Sequence, residues 1–168
     1  MSTKALGRLF DVGSAIVPVD LAAGANTGHR LHLRNYGGVA IVGYLNNGTA
    51  AENPTFDVQE HDAASAGNSQ DLDVVATYYV KSEAALDGDE TWSKVTQTAA
   101  SEVTNASWDD ALEVLVVIEV LSEQLSDGFE WISVNVADPG TAHVGAALYI
   151  MFDLKVQRAP ESLAQPNA

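Results

Sequence analysis

The chain has 168 residues, with 8 Lys and Arg against 23 Asp and Glu, a formal net charge of −15 and no cysteine. At roughly 150 residues per domain it is one domain, and it can bury about two-thirds of its unfolded surface without disulfide or metal. The missing cysteine excludes thiol nucleophiles, Cys-ligated zinc, iron–sulfur clusters and disulfide frameworks, and no apolar run reaches the length of a spanning helix.

The acidity argues against general binding to nucleic acid or to anionic lipid, which needs clustered Lys and Arg. The charge is uneven. Residues 1–45 carry Lys4, Arg8, Arg30 and Arg34 against Asp11 and Asp20, whereas the remainder carries four basic and 21 acidic groups. Such polarity can orient a protein on a partner. Lys4 and Arg8 flank only Ala5, Leu6 and Gly7, so no signal-peptide pattern is expected.

Period two dominates the chain order. Arg30, His32 and Arg34 alternate with Leu31 and Leu33, the pattern of a strand with one wet face. Val39–Leu45 is nearly all apolar and reads as an interior strand, followed by the turn signal Asn46-Asn47-Gly48. Phe56 and Val58 alternate with Asp57 and Gln59. Residues 62–69 read as a loop. Leu72, Val74, Ala76, Tyr78 and Val80 form one face of a further strand ended by Asp87-Gly88, and Trp92–Thr98 makes a weaker strand.

The segment after Ser107 is ambiguous. Trp108, Leu112, Leu115, Ile118 and Leu125 fall near helical spacing, yet Val114, Val116, Val117, Ile118 and Val120 are β-branched and lose χ1 freedom in a helix. The reading is a helical turn at 107–112, a strand at 113–121 and a turn at 122–127. Ile132, Val134 and Val136 then alternate with Ser133 and Asn135, and Asp138-Pro139-Gly140 turns the chain. Val144, Ala146, Leu148, Ile150, Phe152 and Leu154 form the longest stripe and are expected to face the core. Its opposite face, Gly145, Ala147, Tyr149 and Met151, is also uncharged, so both faces of this strand are expected to be covered. These elements predict an all-β fold: an antiparallel, jelly-roll-like β-sandwich with at most one short helix. One domain spans 1–156, including an N-terminal arm, and 157–168 form an extended tail.

No catalytic constellation emerges. His29 and His32 point to opposite faces of a strand, and His61 and His143 lie at strand ends, so each reads as a structural or solvated histidine. Gly67-Asn68-Ser69 lacks the second glycine of a nucleophile elbow. Asp87, Asp89 and Glu90 do not have the spacing of a calcium loop, and Asp71 with Asp73, or Asp109 with Asp110, gives no complete ligand set. No cofactor or metal is expected. Trp92, Trp108 and Trp131 fit either core or interface positions or a sugar-binding platform. Trp131 lies opposite the Ile132–Val136 stripe, so it is expected, with Tyr149 and Met151, at a subunit interface.

His29-Arg30-Leu31-His32-Leu33-Arg34-Asn35-Tyr36, followed by the apolar Val39–Tyr44, resembles a segment of small virion proteins of tailed phages. So do Phe56–Ala63, Ile118–Val120 with Leu125–Trp131, Val136–Asp138, and Gly145–Ile150 with Arg158-Ala159-Pro160. The resemblance covers about two-thirds of the chain and is weakest at 81–112. It implies a β-sandwich that decorates or cements the exterior of an icosahedral capsid by binding the major capsid protein, without enzymatic activity. It also implies a homo-oligomer, a trimer by family analogy, located in the virion. Lys4, Arg8, Arg30, His32 and Arg34 are the expected capsid-binding residues. A solvated strand face paired with neighbouring carboxylates explains them equally. A tail or neck component, a module binding host-surface glycans through Trp92 or Trp131, and a hydrolase with dispersed carboxylates are the alternatives.

Overall fold

The computed structural model describes residues 5–46, 53–108 and 112–163. Twelve strands follow in chain order: β1 (Phe10–Asp20), β2 (Asn26–Thr27), β3 (Leu31–His32), β4 (Gly38–Asn46), β5 (Phe56–His61), β6 (Ser69–Asp71), β7 (Val75–Glu83), β8 (Ser93–Ala100), β9 (Glu102–Val103), β10 (Glu113–Leu121), β11 (Trp131–Val136) and β12 (Val144–Phe152). The helical content of the described residues is single 3₁₀ turns, among them Leu33–Asn35, Ala106–Trp108 and Pro160–Ser162.

The strands form two antiparallel sheets. The large one runs β1-β12-β4-β10-β7-β8, and the small one β2-β11-β5-β6, with β3 sharing the β2 edge of β11 and β9 pairing with the other end of β5. The first and last strands are neighbours, and the chain passes from sheet to sheet between successive pairings. That is the wound connectivity of a jelly roll, with the β7–β8 hairpin extending one edge.

The core lies between the sheets because one face of each strand is apolar. Val39, Ile41 and Leu45 from β4, Val114, Val116, Ile118 and Val120 from β10, and Ile132, Val134 and Val136 from β11 are all buried. Phe56, Trp108 and Tyr78 meet edge-on, with ring centroids 6.4 and 6.3 Å apart, the arrangement that aromatic quadrupoles favour. Gly43 is required where the sheets close: a Cβ there would lie 2.5 Å from Phe56 Cζ.

Tyr149 repairs a gap in the small sheet. β2 pairs with β11 at Asn135 and Val136, and β3 pairs at Trp131 and Ile132, so no strand faces Val134 on that side. The Tyr149 hydroxyl reaches across from the large sheet, accepts from Val134 N at 3.0 Å and donates to His29 O at 2.9 Å. Burial pushes its phenol well above the ordinary tyrosine range.

Three expectations are corrected. The strand expected at Arg30–Arg34 is only Leu31–His32. The chain then enters the Leu33–Asn35 turn, closed by Tyr36 N donating to Leu33 O at 3.0 Å, so Arg30, His32 and Arg34 do not share a strand face. In β7 a register shift between Val75 and Thr77 puts Val75 inside and Ala76 outside. In β12 the two faces are exchanged: Gly145, Ala147, Tyr149 and Met151 are buried, while Val144 and Leu148 are exposed and Ala146, Ile150 and Phe152 half-buried. Small residues are needed inside, since a Cβ on Gly145 would come within 2.8 Å of both Leu21 and Leu45.

The expected turn at Asn47-Gly48 lies outside the described residues, as do 109–111 of the expected helical turn. The described part of the expected tail, 157–163, carries a 3₁₀ turn and packs on the N-terminal arm, with Arg158 N donating to Gly7 O at 2.9 Å.

Candidate functional site

The expected site residues separate into three places. Arg30 is structural. Its guanidinium donates to Ala63 O at 2.8 Å, Ala66 O at 2.7 Å and Ser69 Oγ at 3.1 Å, which holds the 62–69 loop. His32 stacks on Trp131 with centroids 4.3 Å apart and planes 7° from parallel, and its Nε2 lies 3.1 Å from Glu130 Oε2. Under that ring Trp131 is buried, and Tyr149 and Met151 lie fully within the protomer. These three side chains are therefore not available to a neighbouring subunit, which corrects the expected interface.

A polar line runs beside Arg30. His61 is buried between Ser69 Oγ, 2.7 Å from Nδ1, and Ser133 Oγ, 2.8 Å from Nε2. Burial, and then the nearby Arg30 charge, lower its pKa to about 4, so it is neutral at physiological pH. Ser69 Oγ is engaged by both His61 and Arg30, an arrangement that fixes the loop. Next to it the buried Glu60 carboxylate accepts from Gln70 Nε2 at 2.6 Å and from Ser126 N at 2.8 Å.

Arg8 and Arg34 belong to a different constellation. The arm carrying Arg8 is bonded through Gly7 to Arg158, and Lys155 N donates to Asn35 O while its Nζ donates to Arg34 O, both at 3.0 Å. These bonds gather Arg8, Arg34, Lys155 and Arg158, four of the eight cations of the chain, at one end of the molecule, all exposed. Among the described residues the one ion pair within 4.0 Å is His32–Glu130, so none of these four is held in a direct ion pair, although the exposed Asp153 and Glu161 stand on the same segments. Lys4 lies outside the described residues. Arg34 and Lys155 also line a cleft of about 500 Å³ together with Asp62, Asp127 and Glu130.

The third feature is the outer face of the large sheet. Adjacent strands align Leu148 with Val42 and Val117, and Ala146 with Tyr44 and Leu115. Val144, Tyr44, Leu148 and Val12 are 60, 49, 46 and 44% exposed. Val42, Tyr44, Leu86, Leu115, Ala146 and Leu148 surround a shallow hollow of about 420 Å³. Water normally faces polar side chains on such a surface; here it meets aliphatic and aromatic ones.

Elsewhere, carboxylate oxygens of Glu83, Asp89 and Glu90 lie within 4.8 Å of one another at the β7–β8 turn. The Gly88 N–H donates to Glu90 at 3.0 Å and lowers its pKa. Trp92 is half-exposed, and Lys81 Nζ sits 5.1 Å over one face of its ring.

Comparison with known proteins finds no matching family model, no matching curated protein and no matching solved structure. Of the expected docking residues Arg8 and Arg34 lie at the basic end, and Lys155 and Arg158, which no residue pattern in the sequence singles out, lie there with them. Both follow the last strand: Lys155 packs on the Arg34–Asn35 turn, and Arg158 packs on the N-terminal arm beside Arg8. The signal was present in their position directly beyond β12, which pairs with β1.

Proposed function

We propose that this protein is a non-enzymatic structural protein of a bacteriophage virion that decorates the exterior of the capsid by binding the major capsid protein. The observation that carries the reading is the basic end. In a chain with a net charge of −15, four of the eight cations are gathered at one pole, and no described carboxylate lies within 4.0 Å of them. Such a pole steers an acidic body end-on toward a negatively charged shell and keeps its flanks away from it. The jelly-roll body supplies a stiff scaffold, and the remaining acidity keeps many copies soluble at high local density. The sequence resemblance to tailed-phage virion proteins supports the same role.

The test is binding of the purified chain to undecorated heads, read as bound copies per head and as resistance of the heads to heat. Replacing Arg8, Arg34 and Arg158 by Glu should lower binding by about tenfold or more with the circular-dichroism spectrum unchanged. Binding should also weaken as salt rises, because the screening length falls from about 10 Å at 0.1 M to about 3 Å at 1 M. Unchanged binding in the triple variant, or absence of the protein from finished particles, overturns the reading.

A further inference from the structure

The geometry points to the outer face of the large sheet as the docking surface for a second copy of this chain, packed sheet against sheet about a two-fold axis. Three observations carry this inference, and none depends on the capsid role.

The first is area. Val12, Tyr44, Val144 and Leu148, 44–60% exposed, and the half-buried Val42, Leu115, Val117, Ala146 and Ile150 form one continuous apolar face across β1, β12, β4 and β10, the apolar centre that a standard interface of roughly 800 Å² per partner needs. Even on an ordinary monomer the largest apolar patch, roughly 300–600 Å², is often a functional surface.

The second is charge. Of the 23 carboxylates of the chain, Glu83, Glu113 and Glu119 stand on the outward rows of β7 and β10, with Asp89 and Glu90 beside Glu83, and Lys81 of β7 and Lys94 of β8 offset them in part. Away from the basic end a second copy meets the main acidic excess, whereas the middle of this face, Val42, Leu115, Val117 and Leu148, carries no charge. The partner most readily accepted by such a face is another face of the same composition.

The third is shape. The face is a regular pleated surface with a shallow hollow between Tyr44 and Leu148. Two such sheets pack at about 10 Å with interdigitated side chains, as the layers of a sandwich do. A two-fold arrangement uses the same patch on both copies and closes, so the apolar surface is consumed without propagating a fibre.

Light scattering and sedimentation equilibrium on the purified full chain test the inference. The expected mass is twice the 17.7 kDa of the chain. Leu148→Glu and Val42→Glu should each give the mass of a single chain. As a control for folding, Leu148→Thr and Val42→Thr, which place a β-branched strand former at each position, should retain the wild-type spectrum and melting behaviour while weakening association by about tenfold. The Arg8→Glu/Arg34→Glu variant should remain a dimer. A wild-type protein of any mass other than twice the chain, or Glu variants that remain dimeric, overturns the inference. So does a monomeric wild type whose binding to heads falls on Leu148→Glu, which would give this face to the capsid.

Discussion

Removing one oxygen, Tyr149→Phe, separates the core role of this residue from an interface role. The ring stays in place, so the change deletes the bond from Val134 N at 3.0 Å and the bond to His29 O at 2.9 Å. Val134 is fully buried and no strand pairs with it on that edge, so its N–H has no replacement partner. His29 is exposed, and water can reach its carbonyl. One stranded buried donor costs about 1–3 kcal/mol, which places the loss near 2 kcal/mol. For a chain of this size, each kcal/mol moves the melting temperature by about 2–4 °C. Calorimetry should therefore record a fall of about 4–8 °C, with an unchanged urea m-value and unchanged association. Stability within about 0.5 kcal/mol of wild type, or weakened association with stability intact, would refute the argument.

His61 makes stability pH-dependent. Its folded pKa of about 4 lies below the ordinary 6.5, so between these values the unfolded chain binds more protons and stability falls as pH falls. At 1.36 kcal/mol per unit the ceiling is about 3 kcal/mol, which solvent at the exposed Ser69 side reduces to about 2 kcal/mol. Urea titrations should show this loss below pH 6.5 and none of it above, and a His61→Gln variant that kept the full slope between pH 6.5 and 5 would contradict it. Gly43→Ala places a methyl against Phe56 and Val116 and should cost about 1–3 kcal/mol. Phe56→Leu in the same chain should recover part of that cost, and strict additivity of the two changes would argue against the contact. Arg30→Met should speed hydrogen exchange across 62–69 and raise the pKa of His61, since the Arg30 charge helps hold it down. Binding to heads should survive that change, and its loss would return Arg30 to the docking surface.

Strand positions were legible wherever the two faces differed in polarity. β5, β10 and β11 fall where alternation puts them, because Asp57, Gln59, Ser133 and Asn135 mark the less apolar side. The orientation of β12 was not legible, because both of its stripes are apolar. What decides it is volume and one hydrogen bond. Gly145 fits against Leu21 and Leu45, and the Tyr149 hydroxyl fills a gap in the opposite sheet, while the bulkier Leu148 is left outside and Ile150 half-buried. The alternation at Arg30–Arg34 was real but misread, since a 3₁₀ turn also buries Leu33 two residues after Leu31. In β7 a bulge shifts the parity, and no residue type announces it.

The placement of the two surfaces bears on how they work together. Arg8 lies two residues before Phe10, and Lys155 three residues after Phe152, so the basic end adjoins the Phe10–Phe152 pair of the large sheet. The apolar hollow is centred near Ala146, six residues along β12. At 3.2–3.4 Å per residue that separation is about 20 Å, twice the screening length at 0.1 M salt. Charges at the end thus contribute little to contacts at the hollow, and the two associations should respond oppositely to the same change of conditions. Raising salt screens the basic end, whereas salts excluded from protein surfaces strengthen apolar burial. A high-sulfate buffer should release the protein from heads and leave it paired. If both associations fail together as salt rises, the pairing is electrostatic, and the aliphatic rows of β12, β4 and β10 are not what holds it.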